Sequence, residues 1–282
     1  MKCKIYTFIS TLIFIFALCA IFTRASLPAS VEKNGIAMPV IMYHSILKDT
    51  ELTGKYIITP DTLRRDIDYL YNHGYTTVSV QNILDYIDNG TPLPEKPVML
   101  TFDDGCYNNL FYALPILEEK HAHGIFSIVG KYTDDYSKSN EVNPSYSYMR
   151  WCDIKQMIDS PYAEIACHSY DFHSNNDGRN GAGRKNDESI QNYLDLFERD
   201  IKQFKEQCHA QTGFTPIIYT FPYGKYSKES FDVLNQEGFR VTFSCSEGIN
   251  YITRDISCMK LVKRYNRPGG ISSEEYFYNI LK

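Results

Sequence analysis

Tryptophan is almost missing from this chain, with one residue, Trp151, in 282 against 23 Tyr and 16 Phe. No glycine-rich GxGxxG motif follows the first strand-like segment, which speaks against a dinucleotide fold. CxxC pairs are absent too, although the chain holds eight Cys. Nor is there an excess of positive charge. Beyond residue 24 the chain carries 26 basic against 34 acidic groups, a net of −8. A nucleic-acid partner needs a basic face and is excluded on that ground; docking on an anionic lipid surface is disfavoured for the same reason.

Charge is also missing from one long run. Lys2 and Lys4 precede the stretch Ile5–Phe22, which holds no charged residue, and Arg24 follows it. Those 18 residues sit at the short end of what crosses a hydrocarbon core of about 30 Å as a helix. No small-x-small cleavage site follows Phe22, so residues 1–24 are expected to be an uncleaved transmembrane signal-anchor; a cleaved signal peptide is the alternative. Either way the remainder is exported, held at the cell membrane by a single pass or secreted. Residues 25–38 are expected to be a tether, and 39–282 a single catalytic domain. Of the eight Cys, Cys3 and Cys19 belong to the anchor. The other six show no close pairing, and buried free thiols are expected in a domain large enough to need no staples. Cys245 with Cys258 is the pair to test first.

After the tether, strand-like and helix-like segments alternate. Pro39–Tyr43 reads as a strand. A helix follows from Thr59 to His73, with a threonine cap, a proline in the first turn and Gly74 beyond its end. Thr76–Val80 is expected to be a strand and Gln81–Asp88 a helix. The almost wholly apolar run Val98–Phe102 reads as a strand covered on both faces. A helix over Asn109–Lys120 and a strand over Gly124–Val129 come next, then helix Trp151–Ile158 and strand Ala163–Cys167. Ile190, Leu194, Phe197, Ile201 and Phe204 recur at helical spacing within Ser189–Gln211. Strand Ile217–Phe221, helix Lys228–Glu237 and strand Arg240–Ser244 complete the pattern; Ser174–Asp187 reads as a loop. Repeated βα units imply a parallel sheet with right-handed crossovers. The expected fold class is therefore α/β, a closed or nearly closed barrel of six to eight such units rather than an open doubly wound sheet, with its site at the C-terminal strand ends.

The polar residues gather at those ends. The strand VMLTF runs into Asp103-Asp104-Gly105. Neighbouring residues on a strand face opposite ways, but a turn at Gly105 lets both carboxylates reach one pocket, one as a cation ligand and the other as a free base. A turn with two capping aspartates is the plainer alternative. The strand AEIAC likewise ends in His168, with His173 five positions on. These imidazoles converge only if the following loop folds His173 back. Two imidazoles with one carboxylate make an open metal site with room for water and substrate. Trp151 at a helix start is expected to pack rather than serve as a sugar platform.

The motifs TFDDG (Thr101–Gly105), HSYDFH (His168–His173) and FPYG (Phe221–Gly224), in that order, resemble the NodB-type polysaccharide deacetylases. The opening VIMYHS (Val40–Ser45) and the late LVKRYNRP (Leu261–Pro268) are similar to the branch with bacterial poly-N-acetylglucosamine deacetylases. The resemblance implies a distorted (β/α) barrel of about seven strands, and a hydrolase removing acetyl groups from a glucosamine-containing cell-wall or surface polysaccharide. It implies one divalent cation, Zn2+ by preference, on Asp104, His168 and His173, with Asp103 as general base. The backbone N–H of Tyr223, aimed by Pro222, would stabilise the oxyanion. Thr220 stands where better-known members carry an Arg, and Arg264 would supply the contact to Asp103 instead. No His follows His209, so the family's late general acid is missing, and His44 is its expected substitute; a structural histidine is the alternative. Ser169 and Asp171 would support the imidazoles or serve the turn. Competing readings are an O-deacetylase and a sugar-binding barrel with impaired catalysis. Glycoside hydrolysis is disfavoured, because adjacent residues rarely reach the carboxyl separation of about 5–9 Å it needs.

Overall fold

The structure is a computed structural model and describes residues 35–175 and 178–281. The expected membrane anchor lies outside the described residues, as does most of the expected tether. Among the described residues no helix is long and apolar enough to cross a membrane. Residues 36–38, expected in the tether, instead form a strand, β1 (Ile36–Met38), which a neighbour from far along the chain holds in place.

Short parallel strands make the frame, and the central ones are largely apolar and covered on both faces. They begin with β2 (Val40–Tyr43), β3 (Ser45–Ile46) and β4 (Ile57–Ile58). Helix α1 (Pro60–Asn72) starts where the Thr59 side chain accepts the Thr62 N–H, and it buries Leu63, Ile67 and Leu70 on one face. Strand β5 (Thr76–Thr77) is shorter than expected. Ser79 is taken as the cap of helix α2 (Val80–Asn89), so Val80 opens a helix rather than ending a strand. Strand β6 (Pro97–Phe102) is buried throughout. Asn109–Ala113 then forms one wide π turn leading into α3 (Leu114–Lys120).

Strand β7 (Gly124–Ile128) feeds directly into α4 (Gly130–Ser139), a helix with no counterpart in the hydrophobic pattern. Next come α5 (Trp151–Ile158), β8 (Ala163–Cys167), α6 (Ile190–Thr212), β9 (Ile218–Thr220), α7 (Ser230–Gln236) and β10 (Val241–Phe243). Strand β11 (Asn250–Ile252) pairs antiparallel with β1. Strand β12 (Tyr265–Asn266) and helix α8 (Ser273–Ile280) finish the chain.

The main sheet runs β10-β9-β8-β7-β6-β2-β12, all parallel, with β5 paired to the start of β6. Val262 bridges to Phe243 on β10, and Tyr265-Asn266 pairs with Ile41-Met42 on β2. One short stretch of chain thus touches both edges of a curled parallel sheet. The result is a half-barrel consistent with a distorted (β/α) barrel. Trp151 is packed as expected, 5% exposed, its indole N–H on Asp134 at 2.6 Å. The six described cysteines are free; Cys167 and Cys208 are buried, while Cys152, expected inside, is exposed.

Candidate active site

Strand β6 keeps its register through Asp103, whose N–H donates to the Tyr43 carbonyl at 2.9 Å. The next two residues, Asp104 and Gly105, both take left-handed conformations, φ 74° and 73°. Such a backbone is uncommon for a residue with a Cβ. The kink overrides strand alternation and brings both carboxylates to one cleft. Gly105 also lies close to the end of β7, where a Cβ would meet Ile128 Cα at 3.2 Å.

Asp103 is buried and receives both arms of Arg264, at 2.8 Å to each oxygen. Arg264 is itself fully buried, with Nε donating to the Ser244 carbonyl at 2.8 Å and Nη1 to Thr101 Oγ1 at 3.2 Å. Burial by itself would raise the Asp103 carboxyl. The Arg264 charge, with smaller help from His168 and His44, overrides this and holds it well below the usual carboxylate range. Burial works the same way on Asp104, and the hydrogen bond from His173 with the His44 and His168 charges brings its carboxyl down.

His168 ends β8 and is buried, with Nδ1 2.8 Å from the Thr220 carbonyl. A carbonyl only accepts, so Nδ1 carries the hydrogen and Nε2 is left with a free lone pair. Burial pushes the imidazole down to about 4, even though the Asp103 charge opposes it, so the ring is neutral near pH 7. Ser169 follows with φ 72° and starts the reversal that returns His173. The Nε2 atoms of His168 and His173 lie 3.6 and 3.2 Å from Asp104 Oδ1. One donor atom from each of the three residues falls within 4.8 Å of the others. Two phenols approach the outer nitrogen of His173, Tyr223 at 3.3 Å and Tyr132 at 3.4 Å.

Asp103, Asp104, His168, His173 and Tyr223 line a cleft of about 490 Å³ together with His44, Tyr56, Cys245, Glu247 and Asn266. Two larger grooves of about 650 Å³ flank α1, but neither brings two imidazoles to a carboxylate, so volume does not identify the site. His44 is half-buried at the end of β2, its ring 4.7 Å from that of Tyr56. Its Nδ1 is buried without a hydrogen-bond partner among the described residues. Pro222 is buried, and Tyr223 after it takes φ 55°. The loop before α6 presses on this turn, since a Cβ at Gly181 would fall 2.3 Å from the Pro222 carbonyl.

All eight sequence-derived candidates therefore border one cleft or support its wall. Ser169 and Asp171 do not reach the imidazoles: the Ser169 hydroxyl has no partner among the described residues, and Asp171 is exposed. Sequence reasoning missed Tyr132, Tyr56 and the Thr220 carbonyl. It also missed Asp200 on α6, which accepts the N–H groups of Tyr170 and Asp171 at 2.8 and 2.7 Å. Burial pushes that carboxyl up to about 7 against these donors. An acidic residue between the apolar positions Phe197, Ile201 and Phe204, on the buried side of the helix, was the available signal.

The family model described as polysaccharide deacetylase matches residues 90–242, more than half of the chain, and the chain belongs to that family. Its similarity extends to the poly-beta-1,6-N-acetyl-D-glucosamine N-deacetylase of Escherichia coli strain K12, at 22% identity over 228 residues. That alignment covers 74% of this chain and 34% of the relative, so the chain spans about a third of the length of the curated protein it matches. Among solved structures, a de-N-acetylase from Aggregatibacter actinomycetemcomitans superposes with TM-score 0.69 at 25% identity, covering 84% of this chain and 96% of that one. The Streptococcus pyogenes deacetylase PplD, in complex with acetate, shares the fold with TM-score 0.69 at 19% identity, over 87% and 99% of the two chains.

Proposed function

We propose that the protein is a metal-dependent hydrolase that removes acetyl groups from N-acetylated sugar residues of a cell-wall or surface polysaccharide. One observation carries this reading: Asp104, His168 and His173 meet at a single point while Asp103 stays clear of them, held by Arg264. The donor set fits a borderline divalent cation such as Zn2+, since both imidazoles offer Nε2 beside a carboxylate oxygen and the cleft leaves positions for water and substrate. Bound there, such a cation would supply Lewis-acid polarisation of the acetamide carbonyl and of the attacking water.

The chain's own groups do the rest. Asp103, its carboxylate form favoured by the Arg264 charge, takes the proton of the attacking water while Arg264 fixes its orientation. The water oxygen adds to the carbonyl carbon. The Tyr223 N–H, aimed by Pro222, donates to the resulting oxyanion. The C–N bond then breaks, His44 delivers a proton to the departing nitrogen, and acetate and a free amine result. Similarity to the poly-beta-1,6-N-acetyl-D-glucosamine N-deacetylase of Escherichia coli supports a glucosamine polymer as substrate. Residues 1–24 would hold the enzyme at the membrane, facing the envelope polymer. Acetate release from N-acetylglucosamine polymers, peptidoglycan and acetylated xylan, with and without chelator, tests the proposal. Chelator-sensitive release from the glucosamine polymers is expected. Glycan binding without acetate release, after zinc is restored, would overturn it.

A further inference from the structure

His168 and His173 are five positions apart, and nothing in their own side chains makes the loop between them reverse. The reversal is anchored from below. Asp200 is 6% exposed on α6 and touches neither imidazole. Its two oxygens accept the consecutive N–H groups of Tyr170 and Asp171, one each, at 2.8 and 2.7 Å. The loop's carbonyls are tied as well: Gly130 donates to the Ser169 carbonyl at 3.1 Å and Lys131 to that of Tyr170 at 2.8 Å. The Tyr170 hydroxyl donates to Asp134 at 2.8 Å. There is no slack beneath the loop, because a Cβ at Gly130 would meet the Tyr170 ring at 2.7 Å.

We propose that Asp200 is a positioning residue for the metal centre, its carboxylate gathering the Tyr170 and Asp171 N–H groups so that His173 folds back onto His168 and Asp104. This inference rests on the metal reading of that triad. A carboxylate is required because both partners are donors and each oxygen serves one of them. An asparagine keeps one acceptor and turns an NH2 group towards the second N–H, so one buried donor is left opposed. The loop then loosens at the one place that sets the distance between the two imidazoles.

The test uses the full chain, with zinc affinity read by competition with a chromophoric chelator and thermal unfolding read on the chelator-treated protein. Asp200→Asn is expected to weaken zinc binding about 10–100-fold, the range for lost support of metal ligands. Ile201→Val, a buried core change on the same helix, is the control: it lowers the melting temperature and leaves zinc affinity unchanged. Asp200→Glu keeps both acceptors on a stem one methylene longer, and an intermediate loss of zinc affinity is expected. It also serves as the reporting variant should Asp200→Asn fail to fold. Wild-type zinc affinity in the Asp200 variants overturns the positioning role alone. A wild-type protein that binds no divalent cation overturns the metal reading, and this inference with it.

Discussion

Two arginines three positions apart do opposite things in this fold. Arg264 and Arg267 are both fully buried, and each grips an aspartate with two arms, Arg264 at 2.8 and 2.8 Å on Asp103, Arg267 at 2.8 and 3.0 Å on Asp66. Their surroundings differ. Asp66 is sealed in, with the Tyr43 hydroxyl at 3.1 Å and the Ser273 hydroxyl at 2.6 Å closing over it, and it ties α1 to the C-terminal segment. Burial outweighs Arg267 there and raises the Asp66 carboxyl. Asp103 opens to the cleft with His168 and His44 nearby, and its carboxyl falls instead. A buried ion pair therefore does not make a site; the difference is whether the neighbours seal the carboxylate in, as at Asp66, or leave it facing a cleft, as at Asp103.

Substitutions at the two pairs should separate these roles. Asp103→Asn should retain zinc while acetate release drops by about 10³-fold or more, in the upper range for a lost general base. His168→Ala should lose both zinc and activity. Metal content after dialysis, measured beside acetate release, checks both, and near-normal turnover of Asp103→Asn would remove the base. Arg264→Met and Arg267→Met should each cost about 3–5 kcal/mol in urea unfolding, because a buried carboxylate is left unpaired. Only Arg264→Met should also lower kcat of the folded protein; an equal fall in Arg267→Met would erase the contrast. His44→Ala should reduce kcat about 10²-fold and flatten the alkaline limb of the pH–rate profile, and an unchanged limb discards its acid role.

The smallest effect is in the pH dependence of stability of the chelated protein. The Asp103 carboxyl is lowered in the fold, so its contribution is fully present above the unfolded value of about 4 and is lost as pH falls below it. The Asp66 carboxyl is raised, so its contribution is present below about pH 4 and is lost as pH rises through the folded value. Unfolding free energies between about pH 3 and pH 6 should thus shift in opposite directions for Asp103→Asn and Asp66→Asn. Parallel shifts would show that the two carboxylates share one environment.

The regular strands and helices could be read along the chain, because β6, β8 and α6 carry their apolar periodicity in contiguous residues. Helix α4 could not: of its residues only Gly130 and Thr133 are buried, so no apolar stripe marks it, and Tyr132 beside His173 went unseen with it. Strands β11 and β12 are three and two residues long, too short to show a period. Within the site, motif resemblance pointed to Asp103, Asp104, His168, His173 and Arg264. The Thr220 carbonyl escaped notice, since a backbone acceptor has no signature in residue type.

Amino-acid order alone was enough for a parallel α/β frame with carboxylates and imidazoles at the ends of two strands, because periodicity and turn residues act over a few neighbours. Motif resemblance pointed to the Arg264–Asp103 contact, but nothing along the chain paired Arg267 with Asp66, and that contact was settled only on folding. Arg264 and Asp103 are 161 positions apart and Arg267 and Asp66 are 201 apart. At such separations local pattern carries no information, and the curl of the sheet, together with how deeply each carboxylate is buried, makes the choice.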